Sequence, residues 1–252
     1  MEKGLQINED KTEKITVEGA DYYRWAIRTP LVTQADDLEE IVKTYAAPYL
    51  QKGDILFISE KMVACTQGRA IPLKAIRPSK LGIFLSRFVH KSAYGIGLSM
   101  PETMTMAIME CGRLRILLAA AAGAVGRLLG RQGWFYRVAG RKAAAIDGPC
   151  PKTIPPYNEY VVLGPEDPDQ VAMELAKGLD QVTVLIVDIN DLGGEILGSS
   201  GFHNKNAHYA ALLADNPLGQ TDEQTPMGII RPAEPQQIAF DDCWQYLLDW
   251  HA

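Results

Sequence analysis

Three places in this chain put charged side chains directly after an apolar run, and its chemistry is sought there. Val182 to Val187 is a continuous, largely β-branched run that ends in Asp188. Ala143 to Ile146 ends in Asp147, and Ile55 to Ile58 runs into Ser59-Glu60-Lys61, with Gly68-Arg69 a few residues on. Packing of a buried strand fixes the backbone at such a point while the side chains beyond it face solvent. Asp147 and Asp188 offer the oxygen donors that Mg²⁺ or Mn²⁺ takes in ones and twos, together with phosphate oxygens and water. Lys61 and Arg69 are cations suited to neutralising phosphate oxygens. Each aspartate taken alone reads first as a turn or capping residue, and Ser59 to Lys61 as the solvated end of an ordinary strand.

The elements that would position these groups follow from pattern. Tyr22 to Ile27 is expected as a strand. Thr29-Pro30-Leu31-Val32 forms a loop, because a residue before proline is pushed out of the helical region. Asp36-Asp37 open a helix whose apolar face is Leu38, Ile41, Val42 and Tyr45, with acidic residues in its first turns. Lys52-Gly53-Asp54 is a turn before the strand Ile55–Ile58. Ser79 caps a helix from Lys80 to His90, and Pro101 begins another that runs to Met109. Met100, Met104, Met106 and Met109 are read as core packing and not as a soft-metal site. Tyr160 to Leu163 is a second strand. Glu166-Asp167-Pro168-Asp169 caps a helix from Gln170 to Leu179, and Val182 to Asp188 is a strand covered on both faces. Asn204 to Ala214 and Phe240 to His251 are further helices, the latter amphipathic with Trp244, Leu247 and Leu248, and a polar loop from Asn216 to Pro226 lies between them. His203 and His208 lack a metal spacing and are read as surface or packing residues. The alternation gives an α/β or α+β fold, a mixed sheet with flanking helices, as a single domain over residues 15–252 behind a polar lead-in, 1–14.

Residues 111–146 stand apart. They hold Arg113, Arg115, Arg127, Arg131, Arg137, Arg141 and Lys142, no acidic residue, and glycines at 112, 123, 126, 130, 133 and 140. Gly-Lys-Ser/Thr is absent, so this is not a P-loop. Glycines that admit close approach, with arginines beside them, suit a phosphate or carboxylate ligand; a solvated basic face or a subunit contact explains them equally.

The whole chain has 252 residues and a net charge of -6, with 47% hydrophobic and 22% charged residues, values of a soluble globular protein with a substantial core. An acidic balance argues against general nucleic-acid binding. The first twenty residues are polar and charged, unlike a signal peptide, and the apolar stretch Ile116–Val125 is too short to span a bilayer. Four separated cysteines without a CxxC pattern suit a reduced, cytoplasmic setting.

In their order along the chain, several motifs resemble those of the coenzyme F-420 gamma-glutamyl ligases. They are the Thr29–Val32 loop followed by Asp36-Asp37-Leu38, then Gly53-Asp54-Ile55-Leu56 with Ser59-Glu60-Lys61 and Gly68-Arg69. Ile146-Asp147 follows, then Leu163-Gly164-Pro165-Glu166-Asp167-Pro168-Asp169, then a helix and a strand ending in Asp188. The similarity runs from about Ile27 to Ile196 and returns at Ala211–Leu213 and Pro226–Arg231. The resemblance implies that family's fold, a homodimer, and a GTP- and metal-dependent addition of L-glutamate to a deazaflavin coenzyme precursor. It makes Asp147 and Asp188 the metal ligands, for Mn²⁺ or Mg²⁺. Thr29, Pro30, Leu31, Val32, Glu60, Lys61 and Arg69 become nucleotide-contacting positions; no catalytic residue is assigned. The chain departs from the family where Gln67 replaces a glutamate and Cys65 stands where some members have a basic residue. Further departures are Gly148-Pro149-Cys150 after Asp147 in place of Ser-Asn, and Ile189 in place of a threonine after Asp188. The segment before the C-terminal helix is also shorter. Two expectations follow: a carboxylate–amine ligase whose acceptor is a deazaflavin, a folate or another small carboxylate, or a non-catalytic ligand-binding or regulatory protein on the same scaffold.

Overall fold

Ile55 and Phe57 pack on one side of the central sheet and Leu56 and Ile58 on the other, which is why this run contains no polar residue. The structure is a computed structural model that describes residues 4–89, 97–131, 133–191, 193–201, 203–219 and 223–234. In chain order it runs β1 (Leu5–Gln6), β2 (Lys14–Val17), β3 (Ala20–Ile27), α1 (Leu38–Tyr45), β4 (Ile55–Ser59), α2 (Glu60–Thr66) and β5 (Ala70–Pro72). Five helices follow: α3 (Lys80–Ser86), α4 (Pro101–Cys111), α5 (Arg113–Leu128), α6 (Trp134–Ala139) and α7 (Arg141–Ala144). The chain continues through β6 (Tyr160–Val162), α8 (Pro168–Lys177), β7 (Thr183–Asn190), β8 (Gly193–Ser199), α9 (Asn206–Leu212) and β9 (Met227–Pro232).

The main sheet has the order β1-β3-β9-β4-β7-β8, with β2 also on β3. β4 and β7 are parallel and the other pairs antiparallel. This is the expected mixed sheet with flanking helices. On one face, Val42 of α1, Met62 and Val63 of α2, and Ala172 and Leu175 of α8 cover Leu56, Ile58, Val184 and Ile186. On the other, Tyr209 and Leu212 of α9 join Phe57, Leu185, Val187 and Ile230. Gly228 is required in β9: a Cβ there would stand 2.4 Å from the Phe57 ring and 2.5 Å from the Trp25 carbonyl oxygen.

The elements α3 to α7 form a helical layer on the small β5–β6 sheet, with their own core around Leu98, Met104, Ile116, Ile146 and Val161. Met104 and Met106 are buried there as expected, whereas Met109 is 70% exposed. Residues 113–128, read above as a candidate ligand-binding segment, are the helix α5. Its glycines serve packing and not an anion. A Cβ on Gly126 would lie 2.9 Å from Cγ of Trp134, and one on Gly123 3.2 Å from Cβ of Phe135, so they let α6 approach α5.

The structure adds what pattern did not show. The lead-in is tied down, since β1 pairs with β3 and Asn8 is buried and bonded to the Pro217 carbonyl and to Thr225. Arg24, 1% exposed, makes two hydrogen bonds to Asp215 and one each to the Leu212 carbonyl and to the Thr12 carbonyl and hydroxyl. Asp54, also 1% exposed, receives two hydrogen bonds from Arg231 at 2.7 and 2.8 Å. The β7–β8 hairpin was hidden because Gly193, Gly194 and Gly198 dilute the strand pattern of β8. The expected helix Phe240–His251 lies outside the described residues, as do His90 and residues 220–222 of the polar loop.

Candidate active site

The site begins where β4 ends. Ser59 leaves the strand in extended conformation and its hydroxyl accepts from the Met62 N–H, capping α2. Glu60 is therefore the first residue of a helix, at its positive end. Ser59 pairs with Val187 in the parallel register, so Glu60, just past the end of β4, and Asp188 of β7 come next along the two neighbouring segments. The carboxyl ends of parallel strands are where α/β sheets place ligands. Asp147 arrives from the helical layer. Ile146 is buried in that layer's core, and Asp147 exchanges both backbone hydrogen bonds with Val162, at 2.8 and 3.0 Å.

Lys61 joins these groups. Its ammonium donates to Glu60 Oε1 at 2.6 Å and also contacts Asp147 Oδ2, while its side chain stays 40% exposed. Burial pushes the Glu60 carboxyl above the ordinary glutamate range; the charges of Asp188 and Asp147 push the same way and Lys61 opposes them. Asp188 is raised chiefly by burial, with Lys61 opposing and Asp147 adding to the rise. For Lys61, desolvation disfavours the ammonium, but the charges and hydrogen bonds of Glu60 and Asp147 outweigh it and hold the group protonated above its usual range. Three carboxylates thus share one cation.

This donor set suits a hard divalent ion. All donors are carboxylate oxygens, and Glu60 Oε2 is buried without a hydrogen-bond partner, a vacancy in its shell that a cation would fill. Among the described residues no three His, Cys, Asp or Glu side chains are close enough to hold an ion by themselves. An ion here would draw its remaining ligands from phosphate oxygens and water, the usual habit of Mg²⁺.

The Thr29–Val32 loop reaches the same helix by another route. The Val32 carbonyl accepts from the Tyr157 hydroxyl at 2.6 Å. Burial, reinforced by Cys65, raises the Tyr157 phenol. Cys65 lies four residues after Lys61 on α2, about one turn or about 6 Å along the same face. Thr29, Pro30, Leu31 and Val32 line a cavity of about 70 Å³ with Asp36, Ile41 and Tyr45.

Arg69 is not brought to the acidic cluster. Its guanidinium donates to the Gly164 carbonyl, to Glu166 at 2.7 Å and to Glu110 at 2.6 Å. It joins α4 to the segment before α8. Gln67 completes this clamp. Its amide donates to the Glu166 carbonyl at 3.0 Å and accepts from the Glu166 N–H at 2.8 Å. A glutamate at position 67 can only accept, so the amide suits this contact. Tyr157 and the buried setting of Glu60 are what sequence reasoning missed. Ser59 before Glu60, a capping residue followed by an acid in a first turn, was the available signal for α2. His208 bonds to Tyr22 and Glu18, consistent with a packing role, and His203 is exposed near Asp169.

A family model described as F420-0:gamma-glutamyl ligase matches residues 26–191, about two thirds of the chain. The chain belongs to this gamma-glutamyl ligase family. The match contains the Thr29–Val32 loop, Glu60, Lys61, Arg69, Asp147 and Asp188, hence both strands of the parallel pair and the whole helical layer. The chain is also similar to a coenzyme F420:L-glutamate ligase of Methanopyrus kandleri, 26% identical over 241 residues, an alignment that covers 83% of this chain and 86% of that protein. In this gamma-glutamyl ligase scaffold, no described helix is long and apolar enough to cross a membrane.

Proposed function

We propose that the chain is a GTP- and divalent-metal-dependent ligase that joins the amine of L-glutamate to a small carboxylate acceptor such as a deazaflavin coenzyme precursor. The observation that supports this most is the convergence of Glu60, Asp147 and Asp188 on Lys61 at the carboxyl end of the parallel strand pair. The γ-phosphoryl group passes from the nucleotide to an acceptor carboxylate oxygen, and the nucleoside diphosphate leaves. The glutamate amine attacks the acyl carbon, the C–N bond forms, the acyl C–O bond breaks, inorganic phosphate departs, and the amine proton goes to solvent. Catalysis of such steps is mainly positioning and neutralisation of charge. Asp147 and Asp188 would hold a Mg²⁺ or Mn²⁺ ion, which would supply positive charge to the phosphate oxygens. Lys61, already beside them, supplies a further positive charge to the phosphate.

A second reading has specific support. Arg69 is occupied by Gly164, Glu166 and Glu110, and Gln67 replaces a carboxylate of the family, so the site is less richly charged than the resemblance implied. A ligand-binding or regulatory protein on the same scaffold would retain binding without ligation. Incubation with GTP, Mn²⁺, L-glutamate and candidate acceptors, followed by phosphate release and product mass, separates the two. Phosphate release that requires both acceptor and glutamate supports the ligase. Metal-dependent nucleotide binding with no release across a deazaflavin, folate and small-carboxylate panel supports the second reading.

A further inference from the structure

Arg141 stands at the edge of the acidic cluster both by chain and by contact. It opens α7, shortly before Asp147, and its guanidinium crosses from the helical layer to the sheet, where it pairs with Glu195 of β8. β7 and β8 are antiparallel, and Asp188 lies directly opposite Glu195. Side chains opposite one another in such a pair share a face of the sheet, with Cβ atoms about 5 Å apart. That face is the one covered by α2, since Ile186, two residues before Asp188, shares a core with Met62 and Val63. The Arg141–Glu195 pair therefore lies next to Asp188, on the side of the sheet that carries Lys61. Other cations to which the sequence pointed are committed elsewhere. Arg69 is held by Gly164, Glu166 and Glu110, and Lys61 by Glu60 and Asp147. Arg115 and Arg127 donate to the Val138 and Phe88 carbonyls within the layer. The side chains of Arg141 and Glu195 are 65% and 55% exposed. A pair this exposed contributes only about 0 to 1 kcal/mol, so a ligand carboxylate can take the guanidinium from it. Arginine then grips that carboxylate through two parallel hydrogen bonds.

We propose that the Arg141–Glu195 pair is the seat of the amino-acid co-substrate, with the α-carboxylate docked on Arg141 and the α-amino group turned toward Glu195. The proposal rests on the ligase reading and adds to it the residues that select the amine. An α-amino acid carries opposite charges on one carbon. Entering the pair, it gives each side chain the opposite charge that the other withdraws, so that no charge is left uncompensated. It also sets the amine at the strand ends, near the carboxylates assigned to the metal and so near the acyl phosphate that it attacks. A latch that merely ties the layer to the sheet is the other role open to such a pair, and it predicts a different pattern of loss.

L-Glutamate and 4-aminobutyrate, which is glutamate without its α-carboxylate, separate the two roles. Phosphate release is followed with GTP, Mn²⁺ and the deazaflavin precursor, with either amine. Arg141→Met should raise the KM for glutamate at least about tenfold, or about 1.4 kcal/mol, with kcat retained, and should leave turnover of 4-aminobutyrate unchanged. Arg141→Lys keeps the charge without the planar fork and should recover part of the loss. A broken latch shifts Asp147 and lowers turnover with both amines alike. An equal loss for the two amines, or an unchanged KM for glutamate, in an Arg141→Met chain with the wild-type circular dichroism spectrum overturns the proposal; glutamate-dependent release by the wild type then leaves the ligase reading standing. A wild type that releases no phosphate in response to glutamate with deazaflavin, folate or small-carboxylate acceptors removes that reading and the proposal with it.

Discussion

In the sheet, buried charge joins distant parts of the chain: Arg24 holds Asp215, and Arg231 holds Asp54. In the helical layer the buried polar groups are hydroxyls that bond locally, Ser86 to the Ile83 carbonyl, Thr103 to Met100 and Thr105 to Pro101. Charge is divided in the same way. Residues 61–146 contain 14 Lys and Arg but only two acids, Glu102 and Glu110, while the rest of the chain has 11 basic and 29 acidic residues. The sheet uses ion pairs to fix which segments meet, and it collects carboxylates at one strand end. The layer keeps its charges outside and relies on small residues for close packing. The two sides meet at the site, where Asp147, arriving from the layer, contacts Lys61 of α2, which packs on the sheet.

If the sheet depends on its buried pairs, Asp54→Ala should be the most costly single change. It strands a guanidinium that is mostly shielded from water, and breaking a buried pair costs about 3 to 5 kcal/mol. A urea midpoint that reports less than about 1 kcal/mol would mean that Arg231 simply turns to water. Truncating the two regions at matched residues sharpens the contrast. Leu56→Ala, fully buried in β4, should cost about 3 kcal/mol. A smaller loss comes with acid. The Asp215 carboxyl is held below its ordinary range because the Arg24 hydrogen bonds and charge outweigh burial. A lowered carboxylate stabilises the fold above its unfolded value of about 3.9 and loses that contribution as pH falls through the lower folded value. Asp215→Asn should therefore flatten the acid limb of the stability profile below about pH 4, and an unchanged limb would show that the pair is not linked to folding. The least effect is expected from Leu114→Ala on the exposed face of α5, within about 0.5 kcal/mol. A loss as large as that of Leu56→Ala would mean that α5's outer face is buried within the monomer.

The strands with continuous β-branched or alternating patterns, β3, β4 and β7, were legible in the sequence, as were α1 and α8 from their acidic first turns. So was the association of Asp147 and Asp188 with strand or helix ends, although their approach to Lys61 depends on the parallel register of β4 and β7 and on the Asp147–Val162 bridge, which join residues far apart in the chain. Helix α2 was missed because Glu60 and Lys61 read as a solvated strand end, whereas Glu60 is 3% exposed. Helix α5 was missed because Gly123 and Gly126 weaken a helical pattern, and their reason is a neighbour, α6, which local sequence does not name. The contacts of Arg69 were not legible, because its partners Glu110 and Glu166 lie 41 and 97 residues away.

The central claim is that the carboxylates at the strand ends hold a metal ion for a nucleotide. Calorimetric titration of the wild-type chain and of Asp188→Asn with GTP and ATP, with and without Mn²⁺, tests it most directly. Metal-dependent binding of GTP in preference to ATP, weakened at least about 100-fold, or about 2.7 kcal/mol, in a folded Asp188→Asn variant, is the predicted result. Equal GTP binding by both proteins, or none by a well-folded wild type, would contradict the assignment of Asp188 and with it the ligase reading of the site.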